Sequence, residues 1–372
     1  MCSVMKVAID MFPRRKMRTG TAVYAEELYH ALKRLSLPDD EIIPLWGPPT
    51  CKKVGFLAAL FNLIVDVFWY QIWVPFVLAW KRADVVHFTA NAGSLFTTCP
   101  QVLTVHDAIF VQHVSSYKWY FRLYARLMWF PSIRRASKIV TVSEASARRI
   151  KAVFARPVQV VYNGPGQIRL LLNSADGIKR NYVTGDSNYI LYVGMIAKHK
   201  NLETLVDGFE LVLAKNNELR LVIAGGTGRS KDPWASQLQE EIHARNLQDN
   251  VIITGALDFQ ELSMMYRYAQ AVVLPSLEEG FGFTPLEAAA FKKPIVVSDI
   301  PVFREVLGES ALYAEALSAE SWAKAILLAV QMANNRSNWN GLESKYSWDL
   351  TARLMMKLYR EISGVGTLSE GR

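Results

Sequence analysis

Paired cysteines are missing from this sequence. Its three, Cys2, Cys51 and Cys99, stand far apart, so neither a disulfide framework nor a cysteine metal cage can be built from them, and a reducing compartment fits. No Asp-x-Asp pair occurs, which removes the closely spaced carboxylates that often seat a divalent ion. Residues 1–10 lack a basic stretch followed by an apolar run and a small-residue cleavage site, so they do not read as a signal peptide. Acidic residues are the minority: 34 Asp and Glu against 42 Lys and Arg leave a formal net charge of +8. That balance favours an anionic partner. No Arg/Lys cluster sits in a helix-turn-helix, RNP or zinc-finger setting, so nucleic acid is not the partner expected.

What the sequence does hold is apolar mass. Hydrophobic residues fill 51% and charged residues 20% of its 372 positions, the balance of a globular chain. A single core rarely organises more than about 250–300 residues, so two domains are expected. Short β-branched runs at 4–10, 41–46, 84–88, 102–106, 138–142 and 158–162 read as buried parallel strands. Between the first two, Val23, Leu28, Ala31, Leu32 and Leu35 recur at helical spacing, which gives the alternation of a doubly wound α/β sheet. The pattern restarts at 189–193, 219–224, 250–254, 270–274 and 294–298. Residues 163–187, polar and rich in Gly and Asn, make the linker. The expected domains therefore cover 1–165 and 186–345, with ligands in a cleft at the carboxyl ends of both sheets.

One run fits this scheme less well. Residues 54–80 carry a single charge, Asp66, between Lys52-Lys53 and Lys81-Arg82, and are long enough to span a bilayer. A single span would set strand 4–10 across the membrane from its own sheet, and Asn62, Asp66, Gln71 and Pro75 interrupt the run. A buried or surface-docking helical stretch ranks first, interfacial membrane contact second and a span third. Residues 117–130 are aromatic and basic. Their plain reading is a helix with an apolar core face. Yet Arg122, Arg126, Arg134 and Arg135, with Trp119 and Trp129, also suit an anionic headgroup layer.

The most specific chemical signal is 275–288, Pro-Ser-Leu-Glu-Glu-Gly-Phe-Gly-Phe-Thr-Pro-Leu-Glu-Ala, directly after an apolar strand. Strand, glycine loop and helix follow one another. Gly280 and Gly282 permit backbone geometries that other residues resist, and free amides at the helix start near Pro285 can donate to a phosphate. Glu287, about one turn inside that helix, would return a carboxylate to the same place.

The Glu279-x7-Glu287 spacing with its Glu-Gly-Phe-Gly opening resembles the signature of family 4 glycosyltransferases of the GT-B fold. Further segments resemble the family in its order: Arg18-Thr19-Gly20-Thr21, Thr104-Val105-His106-Asp107, Val142-Ser143-Glu144, Tyr162-Asn163-Gly164, Gly194 through Lys198-His199-Lys200-Asn201, residues 298–306, and Tyr346-Ser347-Trp348. The resemblance implies two Rossmann-like domains, the first for the acceptor and the second for a nucleotide-sugar donor. A last helix over 348–363 should cross back to the first. It also implies transfer with retention of configuration, without a metal or other cofactor. By the same resemblance Glu287 binds the nucleotide ribose, Glu279 contacts the donor sugar and helps stabilise the reacting centre, Lys200 binds the diphosphate, and His106 lines the site near the transferred sugar. Gly194, Lys198, His199, Gly280, Phe281, Gly282, Phe283 and Thr284 fall in the implied donor segments, and Thr19, Gly20 and Thr21 in a loop facing acceptor or phosphate. Lysine, histidine and helix-terminal amides would supply the electrostatics an ion supplies elsewhere.

The acceptor implied is a glycan or lipid-linked glycan in cell-surface polysaccharide, O-antigen or lipopolysaccharide assembly, and the moving group a hexose, mannose from GDP-mannose being preferred. The setting expected from the unpaired cysteines is the cytoplasm, with peripheral contact at the inner face of its membrane as the reading that residues 54–80 and 117–130 add. Two departures stand out: His199 where many relatives carry Arg, and Phe291-Lys292 where the family often has a small residue followed by Gly. Each feature alone has a plainer reading. The glycine loop could be a surface turn, His106 a rim histidine, Lys198 and Lys200 solvated charges, Gly20 the opening of a helix capped by Thr, and Gly225-Gly226-Thr227-Gly228 a strand-exit turn. Competing functions are a sugar-nucleotide epimerase of the same fold, for which no base is evident, and a silent scaffold in a polysaccharide assembly complex, against which the intact Glu279, Glu287, Lys200 and His106 argue.

Overall fold

The computed structural model describes residues 4–13, 20–51, 56–107, 119–167, 171–172, 188–226, 233–334 and 342–365. The chain divides into two compact units, Met1–Gly164 with Tyr346–Arg372, and Pro165–Lys345. Most of the expected linker 163–187 lies outside the described residues, as do Thr19, Thr227 and Gly228.

In the first unit, apolar runs form β1 (Lys6–Asp10), β2 (Glu41–Leu45), β3 (Val85–Phe88), β4 (Gln101–Thr104), β5 (Lys138–Thr141) and β6 (Val158–Val160). They pair in parallel in the order β2-β1-β3-β4-β5-β6. The central strands β3 and β4 are buried at every residue, which is why they read as continuous apolar runs rather than alternating ones. β4 ends at Thr104, two residues before the expected 102–106 run does, so His106 falls in the loop beyond it.

The helices of this unit are α1 (Gly20–Leu35), α2 (Phe56–Phe68), α3 (Val74–Lys81), α4 (Trp119–Tyr124), α5 (Phe130–Arg135) and α6 (Glu144–Phe154). α1 buries Tyr24, Leu28, Ala31 and Leu32 on one stripe. Between α2 and α3 the backbone widens into a π-helical turn, Trp69–Trp73, and between α4 and α5 into another, Ala125–Trp129. Both have the same cause. Pro75 and Pro131 lack the amide that would serve the carbonyl four residues back, and each wide turn ends two residues before its proline. The run 54–80 is thus helical over its described part. One side, with Trp69, Tyr70, Val74 and Leu78, joins the core formed by Val86, Phe88 and Leu103.

The second unit repeats the plan with β7 (Tyr189–Val193), β8 (Arg220–Ala224), β9 (Val251–Gly255), β10 (Ala271–Leu274), β11 (Ile295–Ser298) and β12 (Leu312–Ala314). Their order is β12-β11-β10-β7-β8-β9, all parallel, which is that of a Rossmann sheet. The helices are α7 (Leu202–Leu213), α8 (Pro233–Ala244), α9 (Phe259–Tyr268), α10 (Phe283–Ala290), α11 (Pro301–Leu307), α12 (Ala319–Asn334) and α13 (Leu342–Lys345). α7 and α12 approach closely because Gly208 has no side chain: a Cβ there would stand 2.7 Å from the Trp322 Cβ and 2.8 Å from the Ala319 carbonyl oxygen. Trp322 and Phe209 fill the core beneath.

The last helix, α14 (Trp348–Ser363), belongs to the first unit and packs along α1. Ser347 caps it by accepting from the Leu350 amide at 3.1 Å, and Gly364, at φ 69°, ends it. Arg34 with Asp349, and Arg360 with the buried Asp40 carboxylate, pin it by ion pairs of 2.7 and 2.6 Å.

Candidate active site

In an open parallel sheet, two neighbouring strands whose connections leave in opposite directions open a crevice at their carboxyl ends, where ligands bind. In the second unit that switch point lies between β7 and β10, which pair directly. The loops leaving these strands are the ones that carry Gly194 through Lys200 and Pro275 through Gly282. Topology alone thus brings together the two segments that the sequence singles out.

Side chains tie them. Lys200 Nζ forms an ion pair with Glu279 Oε1, and Ser276 Oγ donates to the same oxygen at 3.0 Å. The Leu277 amide donates to the His199 carbonyl at 2.8 Å, and Thr284 Oγ1 to the Val193 carbonyl at 3.3 Å. The Lys200 and Glu279 side chains are 15% and 17% exposed, so the pair is shielded yet reachable from solvent. Burial alone would raise the Glu279 carboxyl; the Lys200 ammonium, with smaller help from the Ser276 hydroxyl and His199, holds it below the ordinary carboxylate value. Glu279 therefore stays ionised at neutral pH.

The backbone explains where Lys200 points. Lys198–Lys200 is a short 3-10 turn closed by Asn201 in the left-handed region at φ 52°. Asparagine tolerates that geometry, and its side chain is held by donation to the Ala316 carbonyl at 2.7 Å and acceptance from Thr204 at 2.9 Å. Gly194, at the start of the loop, abuts the exit of β8: a Cβ on Gly225 would lie 1.7 Å from the Gly194 carbonyl oxygen. Gly225-Gly226 is therefore a strand-exit turn built for close backbone approach, and carbonyls at the β8 exit hold the lysine loop, with Gly194 N donating to Ala224 O at 3.1 Å and Ile196 N to Gly226 O at 3.2 Å.

α10 begins at Phe283, two residues before the expected start near Pro285, with Gly282 as its N-cap at φ 89°. Gly282 has no side chain with which to cap, and the first turn carries no acid. This end keeps its partial positive charge. Glu287, one turn in, accepts from the Tyr266 hydroxyl at 2.7 Å. Its other oxygen lies against Gly166, where a Cβ would come within 2.1 Å of it. Burial raises the Glu287 carboxyl above its ordinary value, opposed by the Tyr266 hydroxyl and the Gln167 amide. Tyr266 in turn stacks on Phe291, ring centroids 5.3 Å apart and planes 12° apart. Lys292 keeps a left-handed φ of 54° at the position where the resemblance leads one to expect glycine. The Phe291-Lys292 turn acts on the site through Tyr266.

Not every expected donor residue faces this crevice with its side chain. Phe281 is buried and packs edge-on against Phe283, the Thr284 hydroxyl is bonded to β7, and Lys198 Nζ lies 5.1 Å from the centre of the Trp234 ring. Tyr266, which orients Glu287, lies outside every motif, whereas Ser276 and Asn201, which orient Glu279 and Lys200, lie within the quoted segments without a role assigned from the sequence.

In the first unit, His106 Nε2 lies 2.9 Å from the Thr89 carbonyl oxygen. A carbonyl only accepts, so Nε2 carries the proton and Nδ1 keeps its lone pair. Tyr24 meets the imidazole edge-on at 4.8 Å. Behind it runs a buried chain: Tyr24 OH to Thr104 Oγ1 at 3.0 Å, Thr104 Oγ1 to His87 Nε2 at 2.7 Å, and His87 Nδ1 to Tyr359 OH at 2.5 Å. α14 thereby reaches the support of His106. Gly20 and Thr21 open α1, with Gly20 exposed; Thr19 is outside the described residues.

Burial lowers His87 to about 3 and His106 to about 4, so both are neutral at pH 7. A depressed histidine contributes stability that is whole above its unfolded value near 6.5 and is lost as pH falls toward the folded value, because only the unfolded chain takes up the proton. Chemical denaturation of wild type and His87→Gln should therefore show their stability difference shrinking by about 1.4 kcal/mol for each pH unit below 6.5. A difference that stays constant from pH 7 to 4.5 contradicts the assignment.

Two family models match the chain: Glycosyl transferases group 1 over residues 176–341, and Glycosyltransferase Family 4 over residues 18–165. An O-antigen chain mannosyltransferase of Salmonella typhimurium is 32% identical over 351 residues, spanning 90% of this chain and 94% of that protein. The GDP-mannose:cellobiosyl-diphosphopolyprenol alpha-mannosyltransferase of Xanthomonas oryzae is 25% identical, spanning 80% of this chain and 79% of its own. Among solved structures, sucrose-phosphate synthase of Thermosynechococcus elongatus superposes with a TM-score of 0.72 at 18% identity, over 97% of this chain and 99% of the other. That likeness shows the GT-B fold.

Proposed function

The chain belongs to glycosyltransferase family 4 and is a hexosyltransferase, and from that premise we propose that it moves a mannosyl group from GDP-mannose to a glycan or lipid-linked glycan, in the cytoplasm. The observation that carries the donor side is the Lys200–Glu279 ion pair at the switch point of β7 and β10. A cation there, beside the N-terminal end of α10, suits a diphosphate. The preference for mannose and guanosine rests on relatives named as mannosyltransferases, one of them with GDP-mannose as donor.

In this reading the second unit holds the donor and the first serves the acceptor. Glu287 accepts from the ribose hydroxyls. Glu279 holds Lys200 in place and contacts the sugar. When the bond between the sugar's anomeric carbon and the diphosphate oxygen breaks, the electron pair leaves with the diphosphate, and Lys200 with the α10 amides stabilises the added charge. The acceptor oxygen bonds to the same face of the anomeric carbon and gives its proton to the departing phosphate oxygen, so configuration is retained. His106, with Nδ1 as acceptor, contributes a hydrogen bond near the transferred sugar. No metal takes part.

The test is transfer by the purified full chain from a panel of GDP, UDP, dTDP and ADP sugars in the presence of a chelator, with the product's anomeric configuration read by NMR. An α-mannoside formed from GDP-mannose is expected. A donor converted only to its epimer, or transfer that a chelator abolishes, would overturn the reading.

A further inference from the structure

The helical run through α2, the first π turn and α3 has two faces. One belongs to the core, through Trp69, Tyr70, Val74 and Leu78. The other is solvent-exposed and apolar: Phe61, Ile64, Phe68, Ile72, Phe76 and Trp80 recur three to four residues apart, and the π turn keeps them in phase. Beside it run α4, the second π turn and α5. Tyr124 OH donates to Asp66 Oδ2 at 3.0 Å, and the Gly93 carbonyl accepts from both Gln71, at 3.2 Å, and Ser132, at 2.9 Å. That neighbour exposes Trp119 and Leu127.

Charge on this surface has one sign. Lys81, Arg82, Arg122, Arg126, Arg134 and Arg135 are all exposed, while 56–82 and 119–135 contain one acid, Asp66, and that carboxylate is buried. Lys81 Nζ lies 4.9 Å from the centre of the Trp80 ring, an aromatic and a cation presented together. Interleaved aromatic, aliphatic and cationic side chains without exposed acids match the boundary between hydrocarbon and anionic headgroups.

Among the described residues, Leu60–Lys81 is the one helix long and apolar enough to cross a membrane. Crossing would strip Trp69, Tyr70, Val74 and Leu78 from the core beneath the sheet. The helix must lie in the plane of the surface instead.

We propose that this paired-helix face docks the first unit on an anionic lipid bilayer, with the α2–α3 helix parallel to the membrane and its outer face among the acyl chains. The inference deepens the lipid-linked acceptor reading but rests on surface chemistry alone. Full-length protein is sedimented with sucrose-loaded vesicles of phosphatidylcholine, or of equal parts phosphatidylcholine and phosphatidylglycerol. Binding to the anionic vesicles, released by alkaline carbonate, is expected. Ile64→Glu/Phe76→Glu and Arg122→Glu/Arg126→Glu should each weaken it by about tenfold or more, with melting temperature and transfer to a water-soluble acceptor retained. Equal binding to neutral vesicles, wild-type binding by both variants, or carbonate resistance overturns the proposal. So does a self-association that Ile64→Glu/Phe76→Glu abolishes while lipid binding persists, which would assign the face to a second copy. Vesicle binding without transfer to any acceptor counts against the proposed reaction and leaves the docking surface standing.

Discussion

Lys200→Met should reduce kcat by roughly 10²–10³-fold, the loss typical when a preorganised electrostatic group at a leaving oxygen is removed. The same change leaves Glu279 ionised, shielded and without its strongest partner, so stability should fall by about 3 kcal/mol. These two effects separate in a double variant. Lys200→Met/Glu279→Gln removes the stranded charge and should recover much of the stability while recovering none of the rate. Calorimetry beside steady-state kinetics reads both. Recovery of rate along with stability would show that Lys200 acts only as a structural partner of Glu279.

The second large effect is on donor binding. Glu287→Ala should raise KM for the sugar nucleotide by about 10–100-fold with little change in kcat, because hydrogen bonds to a charged group are worth about 1.5–3 kcal/mol and these form equally in ground and transition states. Tyr266→Phe is the informative companion. It leaves the carboxylate but removes the hydroxyl that fixes one of its oxygens at 2.7 Å, so its effect on KM should have the same sign and be smaller. An unchanged KM in Glu287→Ala would detach this residue from the nucleotide.

These effects involve residues of unequal visibility. Glu279 and Glu287 are legible because a strand, two glycines and a helix start recur in a fixed spacing, and each feature has a backbone cause. Lys200 is legible beside Asn201, whose left-handed φ sets the turn. Tyr266 gives no such signal. It lies in the last turn of α9, where a tyrosine on the buried face is ordinary core, and its role appears only when the chain closes over Glu287. His87 is similar: a histidine inside an all-buried strand reads as apolar packing until α14 returns from the far end of the sequence with Tyr359.

The same contrast holds for the fold. Long apolar strands such as β7 match the run 189–193 residue for residue, because burial on both faces writes itself into composition. β12, three residues long, pairs with β11 through tertiary placement and has no run to announce it. Pro75 and Pro131 look like helix breakers. The structure instead absorbs each missing amide in a π turn, which keeps both helices continuous.

The most direct test of the donor site is the thermal unfolding of the second unit with and without GDP in the presence of chelator. A ligand bound only by the folded state at a hundredfold excess over its Kd adds about 2.7 kcal/mol of stability. GDP should raise Tm of the wild type by several degrees, and Glu287→Ala and Lys200→Met should each lose most of that rise. A rise unchanged in both variants, or none with any nucleoside diphosphate in the wild type, contradicts a diphosphate site at the switch point of β7 and β10.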